Sequence, residues 1–394
     1  MQLSVIILNY NVRYFLEQCV LSVLKALENI DGEIIVIDNN SSDDSCKMMQ
    51  SLFPNITLIK NKENLGFPKG NNIGVSQAKG EYICILNPDT AVSEDTFTKI
   101  LNFIILSAVE EPNQEYDTPN SKLQTRNSKL GIIGCKLIDG TGKFLPESKR
   151  GIPTPYVAFT KIFGLYKISN IFGKYYAQHL NENQSGKVAI LVGAFMFMKR
   201  ELYNEIGGFD ENCFMYSDDI DLSYMAIKKG KTNYYFHETT VIHYKGESTI
   251  RDSKYIKRFQ EAMNFFYKKH FSKSVIFDIF MKIGAIIFSN IKKNQQKNKT
   301  FIVDEFILFS INDSISSTFQ ASKRYSKLED FKINPTINYE ITFDTSSFQF
   351  IEIIKYMEDN NTLNCTFKNY FPSSNFKIGS NNANDIGQII ICEK

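Results

Sequence analysis

The chain lacks most of the short signatures that give an activity away. Its glycine-rich stretch "GFPKGNNIG" has no GK[ST] ending, which excludes a P-loop, and no GxGxxG follows the first apolar run. Without a GxSxG, a serine hydrolase has no support. In "HETTVIH", His237 and Glu238 precede His243, but that second histidine comes six residues after the first, unlike the helical HExxH of a zinc protease. CxxC is missing too, so a zinc ribbon is unsupported; the seven cysteines are odd in number, scattered, and mostly set in apolar runs such as "YICIL", as small buried hydrophobes of a reducing compartment would be. Charge of either sign is nearly balanced, 45 basic against 43 acidic residues, and this removes any global attraction to nucleic acid.

Long clean hydrophobic runs are also absent. "VIFDIFMKIGAIIFSNIKK", from Val275, is interrupted by Asp278 and Lys282 and fits an amphipathic or interfacial helix, or a helix covering the core, better than a membrane span. The opening "MQLSVIILNYN" is only a strand long and has no basic leader or cleavage site, which places the protein in the cytoplasm as an expectation. What is present is ordinary globular composition, 43% hydrophobic and 22% charged over 394 residues, enough for a sizeable core and two or three domains.

The first hundred residues alternate two periodicities. "LSVIIL" (3–8), "EIIVID" (33–38), "ITLIK" (56–60) and "EYICIL" (81–86) are short β-rich runs of the kind buried on both faces of a parallel sheet. Between them, 14–30 places Phe15, Leu16, Cys19, Val20, Val23, Leu24 and Leu27 on one helical stripe, and "SSDDSCKMMQSLF" opens with capping residues before Pro54. Strand, helix, strand in this order predicts a doubly wound α/β layer. Ligands of such sheets bind beyond the carboxyl ends of the strands. Those ends read "NYN", "DNNSSD", "NKENLGFPKGNN" and "NPDT", all polar and rich in Asn and Asp.

Further on, 108–129 reads as a surface insertion, and "PTPYVAFTKIFGLYKISNIFGKYYAQHL" as an aromatic, basic stretch suited to a lid, an acceptor platform or a membrane-facing patch. "GIIGCKLID" predicts a strand, "KVAILVGAFMFMKRELYNEIGGFDE" a strand, helix and glycine turn, "DDIDLSYMAIKKG" a helix, and "DSKYIKRFQEAMNFFYKKHF" a helix with a basic outer face. "KKNQQKNK" marks a linker, and residues 301–394 a small α/β appendage with no motif of known chemistry. The expected division is 1–270, 271–300 and 301–394.

The chemistry falls to carboxylates and amides at strand ends. Asp38 can accept hydrogen bonds from a base or ribose. The loop "NLGFPKGNN" offers backbone amides, Lys69 and a helix N-terminus to a diphosphate. Asp89 could hold a hard cation, Mg2+ or Mn2+. Asp218, Asp219 and Asp221 open a helix, where its dipole favours anions, and capping is the plainer reading for two of them.

"SVIILNYN", "VIDNNSSDDS", "NLGFPKGNNIG", "LNPDT", "GAFMFMKRELYNEIGGFDENCFMYSDDIDLSYMAIKKG" and "VIHYKGEST" together resemble the family 2 glycosyltransferases, in particular their rhamnosyltransferase-like bacterial branch, over roughly the first 250 to 270 residues. The resemblance implies a GT-A fold with a mainly parallel central sheet, and inverting transfer of a sugar from a nucleotide-diphosphate donor to a saccharide or lipid-linked acceptor. It places Asn9, Asn11 and Asp38 at the nucleoside, and Asn64, Gly66, Lys69, Gly70 and Asn71 in the donor loop. "NPD" stands where the family has its DxD metal motif, with Asn87 replacing the first acid and Asp89 as the last; His243 matches a histidine that completes the metal site in some relatives, a satisfied structural histidine being the alternative. "SDDID" matches the Glu-Asp motif, with Asp218 in place of Glu and Asp219 at the catalytic position. Asn87 and Asp218 depart from the commoner residues, which leaves open a non-catalytic nucleotide-sugar or saccharide binding subunit that retains the fold. Basic residues at 254, 257, 258, 268, 269, 292 and 293 could dock the protein on the inner face of an anionic membrane, or simply form solvated helix faces.

Overall fold

The computed structural model describes residues 1–107, 129–154, 157, 175–245, 253–271, 301–313, 315, 322–362, 364–381 and 387–392. Most of the expected insertion at 108–129, most of the aromatic stretch from Pro155 on, and residues 246–252 and 272–300 lie outside these residues.

The predicted alternation is present: β1 (Leu3–Asn9), α1 (Arg13–Ala26), β2 (Gly32–Asp38), α2 (Ser45–Leu52), β3 (Thr57–Lys60), α3 (Gly66–Gln77), β4 (Tyr82–Leu86), β5 (Thr90–Val92) and α4 (Thr96–Ser107). Then follow β6 (Leu130–Ile138), β7 (Gly186–Val188), β8 (Phe195–Lys199), α5 (Arg200–Glu205), α6 (Asp218–Lys228), β9 (Thr232–His243) and α7 (Ser253–His270). These strands form one nine-stranded sheet in the order β3-β2-β1-β4-β8-β6-β9-β5, with β7 paired to β9. From β3 to β4 every ladder is parallel; beyond β4 antiparallel and parallel ladders mix.

Side-chain alternation decides which layer each residue joins. Leu3, Val5 and Ile7 of β1, with Ile34 and Val36 of β2, pack against α1, α2 and α4. Their neighbours Ile6, Leu8, Ile35 and Ile37 pack against α3, α5 and α6. The expectation of burial on both faces fails only for β3, whose residues are half-buried or exposed because it is the edge strand. Parallel register sets Asn9 beside Asp38 and Ile7 beside Leu86, so the polar ends of β1, β2 and β4 finish together.

Residues 301–394 build a second sheet: β10 (Glu305–Phe309), β11 (Lys323–Tyr325), β12 (Tyr339–Asp344), β13 (Cys365–Phe371), β14 (Phe376–Ser380) and β15 (Gln388–Ile391), in the order β11-β10-β12-β13-β14-β15, with helix α8 (Phe350–Asp359) between β12 and β13. This unit changes the reading of α1. Glu17, Gln18 and Ser22, off the apolar stripe, are fully buried, while Leu24 on the stripe is exposed. The cause is a core shared between α1 and the second sheet, in which Val12 and Phe15 join Phe350, Phe367 and Phe376.

Candidate active site

The residues expected at the nucleoside, at the ends of β1 and β2, assemble as a network of short polar side chains. Asn9 Nδ2 donates to Asp38 Oδ1 (2.8 Å) and to Ser41 Oγ (3.0 Å), and the Ser41 N–H donates to Asp38 Oδ2 (2.9 Å). Asn11 turns the chain in a left-handed conformation, φ 56°, and its Oδ1 accepts the Ser42 N–H at 2.7 Å. Asparagine is one of the few residues that tolerates that region. Asn39, which sequence reading passed over, relays this cluster to the donor loop: Asn61 Nδ2 donates to its Oδ1 (2.8 Å), and its Nδ2 donates to Gly66 O (3.1 Å) and Asn64 Oδ1 (3.3 Å). Asn9 Oδ1 and Asn71 Oδ1 are buried with no hydrogen-bond partner among the described residues, acceptors that a ligand could satisfy.

Two glycines of the donor loop have backbone reasons. Gly66 lies at φ +80°, and a Cβ there would fall 2.8 Å from Phe214 O. At Gly70 a Cβ would strike Leu8 Cδ1 at 2.4 Å, so glycine lets α3 approach the sheet. Lys69 is exposed on the first turn of α3.

Asn87, Asp89 and His243 come together at the far end of β4. His243 pairs with Thr90 across the β5–β9 ladder, which brings its Nε2 to 3.4 Å from Asp89 Oδ1 and 3.4 Å from Asn87 Nδ2. Asn87 Oδ1, Asp89 Oδ1 and His243 Nδ1 are all buried without a hydrogen-bond partner among the described residues. His243 Nε2 is the ring nitrogen in contact with Asp89 and Asn87, and Nδ1 is the unpartnered one. An amide oxygen, a carboxylate and an imidazole are a donor set that fits a divalent cation, and the buried Asn87 Oδ1 and Asp89 Oδ1 are atoms it would satisfy. With a single carboxylate in the set, no cluster of three or more His, Cys, Asp or Glu occurs among the described residues.

All three acids lie in the first turn of α6, where the helix dipole favours them, while the N-cap Ser217 makes no side-chain capping bond. Their surroundings differ. Asp219 Oδ2 accepts from Arg150 Nη2 at 2.5 Å and from the Gly193 N–H at 3.0 Å. Arg150, which carried no sequence signal, is buried and also donates to Leu191 O at 2.8 Å. Burial works against its charge, but the Asp219 carboxylate outweighs that and holds the guanidinium above its ordinary pKa. Asp221 accepts from Lys269 (2.8 Å) and meets His270 Nε2 at 2.5 Å, tying α7 to α6. Lys269 is thus engaged in an ion pair, and the Arg258 guanidinium lies 4.9 Å from the Phe214 ring centre.

Asp218 is the frustrated member. Burial, reinforced by the Asp219 charge, pushes its carboxyl up to about 7 from an ordinary 3.8, and its Oδ1 has no partner. Between those values the native state keeps a proton that the unfolded chain has lost. The Asp218 contribution to stability is therefore full below pH 3.8, falls as pH rises toward about 7, and is flat above. Asp218→Asn should consequently be more stable than the parent at pH 8 and equal to it near pH 4, as urea denaturation at both values would measure.

One dipeptide links the two halves. Asn87 N–H donates to Ala194 O (3.1 Å), and the preceding residue, Gly193, donates to Asp219. A Cβ on Gly193 would lie 3.3 Å from Asp219 Cβ and 3.7 Å from Phe67 of the donor loop, so this glycine keeps the acid, the loop and the Asn87 segment together.

Residues 4–110 match the family model "Glycosyl transferase family 2". An N-acetylglucosaminyl-diphospho-decaprenol L-rhamnosyltransferase of Mycobacterium tuberculosis is 24% identical over 261 residues, covering 64% of this chain and 78% of that protein. The minor teichoic acid biosynthesis protein GgaB of Bacillus subtilis is 37% identical over 106 residues, 25% of this chain and 12% of that protein. Among solved structures, mannosyltransferase PcManGT from Pyrobaculum calidifontis in complex with GDP-Man and Mn2+ aligns with a TM-score of 0.44 at 15% identity, over 74% of this chain and 75% of that one. The family match spans the strand ends from Asn9 to Asp89, and residues 4–110 form a family 2 glycosyltransferase domain.

Proposed function

We propose that the protein is an inverting glycosyltransferase that moves a hexosyl group, with rhamnose the leading candidate, from a nucleotide-diphosphate donor to a saccharide or lipid-linked saccharide during cell-surface polysaccharide synthesis. The observation that carries this reading is the double grip on Asp219. Arg150 and the Gly193 amide both engage Oδ2, which leaves Oδ1 to accept a proton. The acceptor hydroxyl gives its proton to Asp219 Oδ1 as its oxygen bonds to the anomeric carbon; the bond from that carbon to the diphosphate oxygen breaks, and its electron pair leaves on the diphosphate. Attack on the face opposite the leaving group inverts the configuration. A divalent cation bound by Asp89, His243 and Asn87 would supply positive charge to the departing diphosphate. Lys69, exposed on the first turn of α3, would add a cation to the same task, because the Gly66 and Phe67 amides there are already taken by Asn64 Oδ1 and Phe214 O and Pro68 has none.

The sugar and acceptor rest on relatives: one is named for rhamnosyl transfer to a diphospho-decaprenol-linked sugar and another for teichoic acid biosynthesis. A lipid-linked acceptor would bring the protein to the inner face of the membrane as a peripheral enzyme; among the described residues no helix is long and apolar enough to cross one. A panel of nucleotide sugars tests the reading directly. One of them is expected to raise the melting temperature, by binding only the folded state, and to be consumed when a saccharide acceptor is added. A donor that binds and is never turned over with any acceptor would leave a binding protein instead.

A further inference from the structure

Strand β5, which follows Asp89, is the last of the large sheet and has only three residues, and β9 ends at His243. One face of this strand pair is covered by its own domain, where Val92 and Val241 share a core with α1 and α4. What stands behind the other face is the C-terminal unit. Ala91 of β5, and Ile242 and Tyr244 on either side of His243, sit in one apolar cluster with Phe350, Ile354 and Phe367.

Polar contacts fix the register of that packing. Just past β5, Glu94 takes the first two amides of α8 on its two carboxylate oxygens, Phe350 N–H and Ile351 N–H at 2.8 Å each. A carboxylate there meets the positive end of the helix dipole as well as two unsatisfied donors. At the other end of α8, Glu358 pairs with Lys136 of β6 at 2.8 Å and accepts from Thr240 of β9 at 3.3 Å. In the centre Asn369 of β13 donates to Gln18 Oε1 at 2.9 Å and approaches Tyr244 Oη at 3.4 Å. All three groups are buried, so no water competes for these bonds. Tyr244 returns the contact to the site, because its backbone N–H donates to Asp89 O at 3.0 Å and it directly follows His243.

We propose that the C-terminal unit is a positioning element of the cation site, holding the β5–β9 strand pair through Glu94, Asn369 and Tyr244 so that Asp89 and His243 converge. This rests on the reading of those two residues as cation ligands. Asn369 and Tyr244 are positioning residues: they act on the ligands through the strands and touch no substrate. An acid and an imidazole brought together from positions 89 and 243 of the chain hold a cation only if their backbones are fixed, and outer contacts of this kind are worth about 10–100-fold in metal affinity when they bond a ligand directly.

The test titrates Mn2+ alone into the full-length chain, following loss of the free-ion signal by electron paramagnetic resonance, with melting temperature recorded for each variant. Asp89→Ala is expected to abolish binding. Asn369→Leu and, from the other side of the contact, Tyr244→Phe are expected to weaken Mn2+ by about tenfold, the low end of that range, while remaining folded. Should Asp89→Ala abolish binding and Tyr244→Phe match the parent, the positioning role is overturned and the cation reading survives. If instead Asp89→Ala binds Mn2+ as the parent does, the cation reading falls and takes the positioning role with it. Loss of folding in Asn369→Leu leaves the decision to Tyr244→Phe, which removes one oxygen and keeps the ring packed 5.1 Å from Phe15.

Discussion

Asp219→Asn is expected to lower transfer about 100- to 10,000-fold, the range a positioned general base contributes, with donor affinity nearly unchanged. The substitution is close to isosteric. The remaining amide oxygen can still take the Arg150 and Gly193 donors, which fall on Oδ2 in the parent. The NH2 group then occupies the place of Oδ1 and cannot accept a proton. Nothing on the nucleoside side or at Asp89 is touched, so kcat should fall while the donor dissociation constant, measured by calorimetry, stays put. Loss of donor binding in proportion to activity would instead make Asp219 part of the donor site.

Arg150→Met should be as severe, by a different route. The guanidinium and the Asp219 carboxylate are both buried, and removing one member of such a pair leaves the other uncompensated, at a cost of about 3–5 kcal/mol. Stability by urea denaturation reads that loss. Activity reads a second one, since Asp219 loses the bond that aims its free oxygen. Arg150 also lowers the proton affinity of Asp218, so without it that carboxyl holds its proton to higher pH, and an acidic limb of the kcat/KM profile set by Asp218 moves up with it. Arg150→Lys keeps the charge without the planar fork and should recover part of the stability and most of the limb position. A profile unmoved in Arg150→Met would reduce the residue to a packing role.

The strands and their polar ends were legible because parallel sheets write themselves as short apolar runs, and because turn-forming Asn and Asp cluster where those runs stop. Helix α1 was half legible. Its apolar stripe was read correctly at Phe15, Leu16 and Cys19, whereas Leu24 proved exposed and Gln18 buried, since periodicity reports one covered face and the C-terminal unit covers another. At α6 the three acids were visible and their fates were not: the partners Arg150, Lys269 and His270 come from other parts of the chain. Asn369 gave no signal, being a single amide in an unremarkable strand, and Asn39 lay within the polar "DNNSSD" end without anything to set it apart from its neighbours.

By itself the sequence determined the alternating α/β layer, the four polar strand ends and the acids that stand there, because those features depend on local pattern and on chain order. Only the tertiary structure decided that Asp219 answers to Arg150, that Asp89 meets His243 across a three-residue strand, and that the last hundred residues brace that strand. Such pairings join positions tens to hundreds of residues apart, and proximity across that span is a product of packing that no local pattern encodes.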